Sequence, residues 1–344
     1  MNEKEFAMSA FRGAVYFPSR VYNAYQTYEY FDASELERDF SYAEKAGITA
    51  LRIFTSYEQY QKDKPSFFSK FDTLLAIAAK QSIRVMPVLF ENCGRDFTPE
   101  NAMDRDPDTA VCVKSPALKT IQDPSLWTEC LQYTQDFMTH YADDERLVAI
   151  EIMNEPDYKI GDVDFAIAML RKAHEYRKSV PLTIGCITLQ QCLYYGDLID
   201  VYQFHDNFPS EIESFKKELE FASQVKRVTG KPVWLSEWQR LRKSGPGWDK
   251  AEIPQEEKTP DLASLAPLVY ASGLGSFFWC LMVKPAYLSA QRPNGTYNGL
   301  FYEDGSVYSA ADYKAISGKD DIKEKKGLPE WYVKSKETKE KKRK

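Results

Sequence analysis

The sequence predicts an α/β fold: a single-domain (β/α)8 barrel, in which eight parallel strands alternate with helices and close into a ring. Three observations carry this. Eight short apolar runs recur between residues 12 and 283, and a helix-length amphipathic segment separates most of them. Strand and helix in repeated alternation imply a parallel sheet, and eight such units close naturally. A doubly wound open sheet would more often show a glycine-rich first turn, and none is present.

The runs follow in order. "RGAVYFP" (12–18), "ITALRIFTS" (48–56) and "IRVMPVLFE" (83–91) are the first three. The segment "DASELERDFSYAEKAG" between the first two begins at Asp32, a helix N-cap with Glu35 three residues on, and stops at Gly47. The fourth run, "VAIEIMNEP" (148–156), is apolar on both faces, as in a strand covered on both sides. Proline cannot continue a central strand, so Glu155 belongs at its carboxyl end. "PLTIGCI" (181–187) and "VYQFHDN" (201–207) come next, then a helical segment ending at Gly230, "PVWLSEW" (232–238) and "SFFWCLMV" (276–283).

"PVWLSEW" mirrors the fourth run, ending in Glu237 with no basic neighbour in the run. Period-two alternation groups Glu237 with Leu235 and Val233, and Glu155 with Met153 and Glu151. Helices cover the outside of such strands, so both terminal acids are expected to face the barrel mouth. Strands four and seven lie three apart in a ring of eight, which makes the two carboxylates converge there. Three long connections, residues 92–124, 239–261 and 284–308, also leave from the carboxyl ends of strands, the face where barrel enzymes keep their active sites. In the last, Asp304-Gly305 reads as the turn of a small hairpin. Residues 318–344 read as an appended, charged, disordered tail.

Charge and composition narrow the partners. The net charge is −6, although the segment "KSKETKEKKRK" (334–344) holds seven basic and two acidic residues. The body is therefore markedly acidic, which argues against nucleic acid as a partner. No segment approaches the roughly 18 apolar residues of a membrane span, and residues 1–10 lack the apolar stretch of a signal peptide. A cytoplasmic protein is the simplest expectation, or a secreted one if Met1 is not the native start. The six cysteines show no CxxC and read as mostly free, buried thiols. Three histidines (His140, His174, His205) without HxH or HExxH spacing leave no evident metal set, so neither a metal nor an organic cofactor is expected. The phosphate-binding GxxxxGK[ST] and GxGxxG motifs and the esterase motif GxSxG are absent as well.

Two glutamates facing each other in a partly dry pocket do not easily both ionise. One becomes a proton donor of raised pKa, while the other stays charged and can attack. Glycosidic cleavage needs that division: an acid for the leaving oxygen and a carboxylate for the anomeric carbon. For either glutamate alone, a structural ion pair is the competing reading. The 22 Tyr and 20 Phe suit sugar stacking if they reach a pocket mouth, and core packing otherwise.

An Asn-Glu-Pro closing strand four and a Glu closing strand seven resemble clan A of the retaining glycoside hydrolases, most of all glycoside hydrolase family 5, the cellulase and mannanase family. Matching strands run from about Arg12 to Val283, which makes residues 1–317 the catalytic domain. The resemblance implies Glu155 as acid/base, Asn154 as holder of the sugar 2-hydroxyl and Glu237 as nucleophile. It further implies Arg52 beside the nucleophile, His205 on strand six and Trp279 as a platform under the reacting sugar. Departures are also plain. Asn207 occupies the position of the family's tyrosine, and "LFENC" replaces the usual strand-three histidine, with Glu91 or Asn92 to fill its space. Trp238, Trp248 and Tyr57 are candidates for neighbouring subsites, and Arg20, Tyr22 and Asn23 for the mouth. The activity implied is a retaining β-glycoside hydrolase cleaving a β-linked oligo- or polysaccharide by double displacement. A barrel that binds carbohydrate without cleaving it, or a transglycosylase with the same residues, remains open at this point.

Overall fold

Each of the eight apolar runs forms one strand of a parallel barrel: β1 Arg12–Tyr16, β2 Ala50–Phe54, β3 Arg84–Glu91, β4 Ile150–Asn154, β5 Leu182–Gly185, β6 Tyr202–Asp206, β7 Val233–Trp238 and β8 Gly275–Phe278. The structure, a computed structural model, describes residues 3–158, 161–248, 252–288 and 291–343. Positions 249–251 and 289–290 of the two last long connections, and Lys344 of the tail, lie outside the described residues. The strands are hydrogen-bonded in the order β5-β4-β3-β2-β1-β8-β7-β6. A parallel bridge between Thr183 and Val201 brings β5 against the start of β6 and closes the ring. The anticipated caps are in place: Asp32 accepts from the amides of Ser34 and Glu35, and Gly230 ends its helix at φ 70°.

Two layers of apolar side chains flank the ring. Ala50, Phe54, Met86, Val88, Trp234 and Phe277 cluster inside it, with Phe6 and Phe11 of the amino-terminal segment closing the lower end. Trp234 Nε1 donates to Ala7 O at 2.9 Å, so the indole is buried without losing its hydrogen bond. On the outer side, Leu51, Ile53, Ile150, Ile152 and Leu235 pack with helix residues such as Phe71, Phe137 and Met169. Each fully buried side chain of this kind stabilises the fold by roughly 1.5–3 kcal/mol.

The strand alternation is not the unbroken one expected from the sequence. β6 and β7 pair in step up to Phe204 with Leu235, then slip so that His205 faces Glu237. Ser236 is thus the extra residue of a bulge, and β7 slips against β8 over the same stretch. Leu235 and Trp238 both belong to the outer cluster. Strict alternation would have sent Glu237 outward with Leu235; the bulge re-aims it. β4 slips against β5 between Glu151 and Asn154, which leaves Met153 in the outer cluster and not on the face of Glu151.

Residues 284–308 carry a two-residue ladder, Lys284–Pro285 against Tyr297–Asn298. The expected turn follows, with Phe301 bridging Val307 and Gly305 at φ 77°. The carboxyl-terminal tail departs from expectation: it forms a helix, Glu330–Arg343. So charged a segment is a marginal helix alone. Here Tyr332 is buried, its hydroxyl donates to Pro107 O at 3.0 Å, and Lys339 bonds Asp106 and Asp108. Among the described residues no helix is long and apolar enough to cross a membrane.

Candidate active site

Arg52, fully buried on β2, organises the carboxyl end of the barrel. Its Nε and Nη2 take both oxygens of Glu151 at 2.8 and 2.5 Å, Nη2 also reaches Asn154 Oδ1 at 2.7 Å, and Nη1 holds Glu237 Oε1 at 2.6 Å. One guanidinium therefore serves two carboxylates, Glu151 and Glu237. Gln203 supports Glu151 with a further bond of 3.2 Å. Gly185 leaves the room this needs, since a Cβ there would lie 2.3 Å from Glu151 Oε1.

Glu237 accepts a second bond from Asn207 Nδ2 at 2.9 Å, and Gln239 Nε2 donates to Asn207 Oδ1 at 2.9 Å. Asn207 gives Glu237 a neutral donor from just beyond β6. Glu237 thus accepts from two donors, one of them cationic.

Glu155 sits just beyond β4 with φ 45°, a left-handed backbone that costs a non-glycine residue on the order of 1–3 kcal/mol. Both of its peptide groups are tied down: its amide donates to Gly185 O at 2.7 Å, and its carbonyl accepts from Asn92 Nδ2 at 3.0 Å. Lys114 fixes Asn92 in turn through Oδ1 at 2.8 Å. The carboxyl lies 2.6 Å from His205 Nδ1 through Oε1 and 3.0 Å from the Cys93 thiol through Oε2. Burial pushes Glu155 up, but the hydrogen bond and charge of His205, the thiol and Arg52 outweigh it and hold the carboxyl below its usual value. This reverses the raised pKa expected of the proton donor. Burial also opposes the His205 imidazolium, yet Glu237 and Glu155 hold it above its ordinary value. Both directions favour the ion pair, a carboxylate facing an imidazolium.

Burial does raise a neighbouring carboxyl, Glu91 at the end of β3, to about 7. It accepts from Asn154 Nδ2 at 2.9 Å, from the Cys93 amide at 2.7 Å and from Tyr287 Oη at 3.3 Å. Asn154 is thereby oriented, oxygen to Arg52 and nitrogen to Glu91. The space expected for Glu91 or Asn92 is divided between them: Glu91 orients Asn154, and Asn92 holds the Glu155 backbone.

A cleft of about 420 Å³ opens above this network. Asn154, Glu155, His205, Asn207, Glu237, Trp248 and Trp279 all line it, as expected from the sequence. Arg52, Glu91 and Asn92 stand one layer behind. Two expected subsite residues do not reach it. Trp238 is fully buried on the outer face against Tyr270 and Phe278, because the bulge that turns Glu237 inward turns its neighbour outward. Tyr57 packs against Phe90 and Tyr133 in the outer core. Arg20 pairs with Glu303, while Tyr22 and Asn23 are buried, so these three stand away from the cleft as well. Sequence reasoning missed Cys93, Gln239, Tyr287 and Phe208. Cys93 and Gln239 each lie within two residues of a predicted strand end, which was the available signal.

Glu155, His205 and Glu237 each offer one ligand atom, and these atoms lie within 4.8 Å of one another. Among the described residues this is the one set of three that could hold a metal ion. The donors are already engaged, however. Arg52 occupies Glu237, and His205 Nδ1 shares its proton with Glu155, so a dication here would face the buried guanidinium. The set is built around a proton.

All six cysteines are free, and all but Cys93 are buried. No protein-family model and no curated protein matches the sequence. Solved structures do match in fold. Cel5A of Thermotoga maritima, in complex with cellobiose, is 12% identical, with a TM-score of 0.59 over 92% of this chain and 100% of that one. A GH5_18 protein from Streptomyces cattleya, in complex with GlcNAc, is 14% identical, with a TM-score of 0.57 over 90% and 80%. The endo-1,4-beta-D-mannanase of Thermotoga petrophila is 17% identical, with a TM-score of 0.52 over 78% and 90%. The chain therefore shares the fold of these proteins at low sequence identity.

Proposed function

We propose that this protein is a retaining β-glycoside hydrolase in which Glu237 is the nucleophile and Glu155 the acid/base. One observation carries the reading: two carboxyl groups with oxygens within 4.8 Å stand in opposite hydrogen-bond environments. Glu237 is bound by a guanidinium and an amide, which stabilise a charge. Glu155 faces an imidazole, which can hand it a proton, and a thiol, which gives it a hydrogen bond. The proximity suits attack by a carboxylate, for which the groups stand roughly 5–5.5 Å apart, and not the spacing of roughly 6.5–9.5 Å at which a water attacks instead.

In the first step Glu237 attacks the anomeric carbon as Glu155 protonates the departing oxygen. The proton comes from the shared position between Glu155 and His205, drawn to the carboxyl as the sugar displaces water and negative charge grows on that oxygen. Asn154, held by Arg52 and Glu91, lines the cleft, and the N–H that it otherwise gives to Cys93 Sγ at a long 3.6 Å is the one it would turn to the sugar 2-hydroxyl. In the second step Glu155, now ionised, takes a proton from water, which releases the sugar from Glu237 with retained configuration. Trp279 supplies an apolar face for the ring. The substrate class is a β-linked oligosaccharide or glycan, of glucose or mannose type. Incubation with 2-fluoro β-glucosyl and β-mannosyl fluorides followed by peptide mass spectrometry tests this. Label on the Glu237 peptide is the expected result. Binding of β-glycosides with neither label nor turnover would leave a non-cleaving carbohydrate-binding barrel.

A further inference from the structure

We infer that the cleft takes its substrate end-on, seating one neutral sugar ring beyond the scissile bond, so that single residues are removed from non-reducing ends. The inference rests on the glycosidase reading and its assignment of Glu155 and Glu237.

The leaving group must lie on the side of its proton donor, Glu155. There the cleft is open, walled by Ile187, His205, Phe208 and Trp248 from the ends of β5, β6 and β7. Ile187 is 41% exposed, as fits a rim that meets variable leaving groups. The non-reducing side of the reacting ring points the other way, across Trp279 and Tyr287 towards β8, β1, β2 and β3. That side is filled. Tyr287 packs on Trp279 at 5.0 Å and on Phe17 at 5.1 Å. Behind it the long connections after β3 and β8 are stitched together: the Cys112 amide donates to Tyr287 O at 3.0 Å, and Arg292 Nη1 donates to Pro107 O at 2.9 Å. The segment after β1 locks on from below, with Gln26 Nε2 bonded to Ala102 O and Asp104 O, and Lys284 Nζ bonded to Pro18 O and Val21 O. Ala102, Ala110, Val111 and Cys112 are buried in this plug. Among the described residues, none from 12–62 or 95–150 lines the cleft. A second ring on the non-reducing side finds no channel to occupy among the described residues.

The chemistry of the lining sets the kind of ring. Its charged side chains among the described residues are Glu155, Glu237, Asp206 and His205, with no lysine or arginine. A uronic acid or a sugar phosphate would meet carboxyl groups without a cation of its own.

Two measurements decide. The first follows 4-nitrophenol release from β-glucoside and β-mannoside and from the matching β-1,4-linked biosides. Immediate release from a monoside, and release from its bioside only after a lag in which one free sugar appears, supports an end-on pocket. Immediate release from the bioside with formation of free disaccharide overturns it. The second measures binding of β-1,4-linked glucose and mannose tetrasaccharides, with and without a 4,6-O-ethylidene block on the non-reducing ring, by calorimetry on the Glu237→Gln protein. Blocking should weaken binding by about tenfold or more, because the capped ring clashes with the plug. Equal affinities overturn the inference. If the chain cleaves no glycoside, the hydrolase reading fails, and the same titration on the unaltered chain still decides whether the cleft is closed at one end.

Discussion

His205 Nδ1 stands 2.6 Å from Glu155 Oε1 and 3.9 Å from Glu237 Oε1, so one imidazole faces both carboxyl groups of the cleft. Burial alone would strip the ring of its charge, but the two glutamates reverse that and hold its pKa above the usual value. In the proposed mechanism the active form carries one proton on the Glu155–His205 pair. That proton is lost as pH rises through the raised value, so the basic limb of kcat/KM belongs to the pair and not to a carboxyl alone. In His205→Gln the amide can still reach Glu155, but the titrating ring is gone. The basic limb should then move to lower pH, and an unmoved limb would remove His205 from the proton path. Stability carries the same signs. The His205 share is present below the ordinary imidazole pKa and fades as pH rises through the raised value, and the Glu155 share fades as pH falls through its lowered one.

Asn207 takes the place of a phenol, and its hydrogen bond to Glu237 should carry measurable weight. A bond to a charged group is worth roughly 1.5–3 kcal/mol. Asn207→Ala should therefore lower kcat/KM by about 10- to 150-fold, with covalent trapping still at Glu237. Gln239→Ala should cost less, because it loosens Asn207 and removes no donor from the nucleophile. An Asn207→Ala enzyme with unaltered kinetics would show that Arg52 alone suffices.

Much of this site was legible in the chain, for a definite reason. Apolar runs between helix-length segments locate strand ends, and an acid at such an end has few places to point. The bulge at Ser236 and the slip of β4 were not legible, because period-two reading assumes an even ladder; the direction of Glu237 came out correctly although the alternation behind it did not hold. Trp238 and Tyr57 failed for another reason. An aromatic near a strand end looks the same whether it lines a mouth or packs outward, and only the pleat decides. The helix Glu330–Arg343 was hidden because its order comes from Pro107, Asp106 and Asp108, more than 200 residues away in sequence.

Gly185 gives a test of how tightly the buried network is packed. A methyl group there would meet Glu151 Oε1 at 2.3 Å and Arg52 Nη2 at 3.0 Å. Neither group can retreat without breaking a buried ion pair, so Gly185→Ala should cost more than the roughly 1–3 kcal/mol of ordinary overpacking. Chemical denaturation should show a lower midpoint, and the surviving folded fraction should lose activity because Arg52 also positions Glu237. A variant of unchanged stability would mean that the network has slack.

The carboxyl-terminal helix braces the plug through Tyr332 and Lys339. Ending the chain at residue 329 should lower the melting temperature and open residues 104–115 to limited proteolysis. Tyr332→Phe should reproduce only about 0.5–1.5 kcal/mol of that loss, the worth of one hydrogen bond, since the ring stays buried. If truncation changes neither the melting temperature nor the cleavage pattern, the helix is an appendage.

The duties proposed for the two acids predict different failures. Replacing Glu155 by Ala removes the proton donor, so glycosides with poor leaving groups should be cleaved about 10²- to 10⁴-fold more slowly. Aryl glycosides with activated leaving groups need little protonation, and their first step should survive better. Azide should then rescue turnover, because a small anion fits the space of the missing carboxylate and attacks the glycosyl-enzyme without needing a base. Glu237→Ala has no such escape by the same route: with no carboxylate beside Arg52, no covalent intermediate forms, and good and poor leaving groups should fail alike. Comparing both variants on a 2,4-dinitrophenyl glycoside and on an unactivated oligosaccharide separates the two roles. Identical behaviour of the variants on both substrates would show that the assignment of acid and nucleophile is wrong.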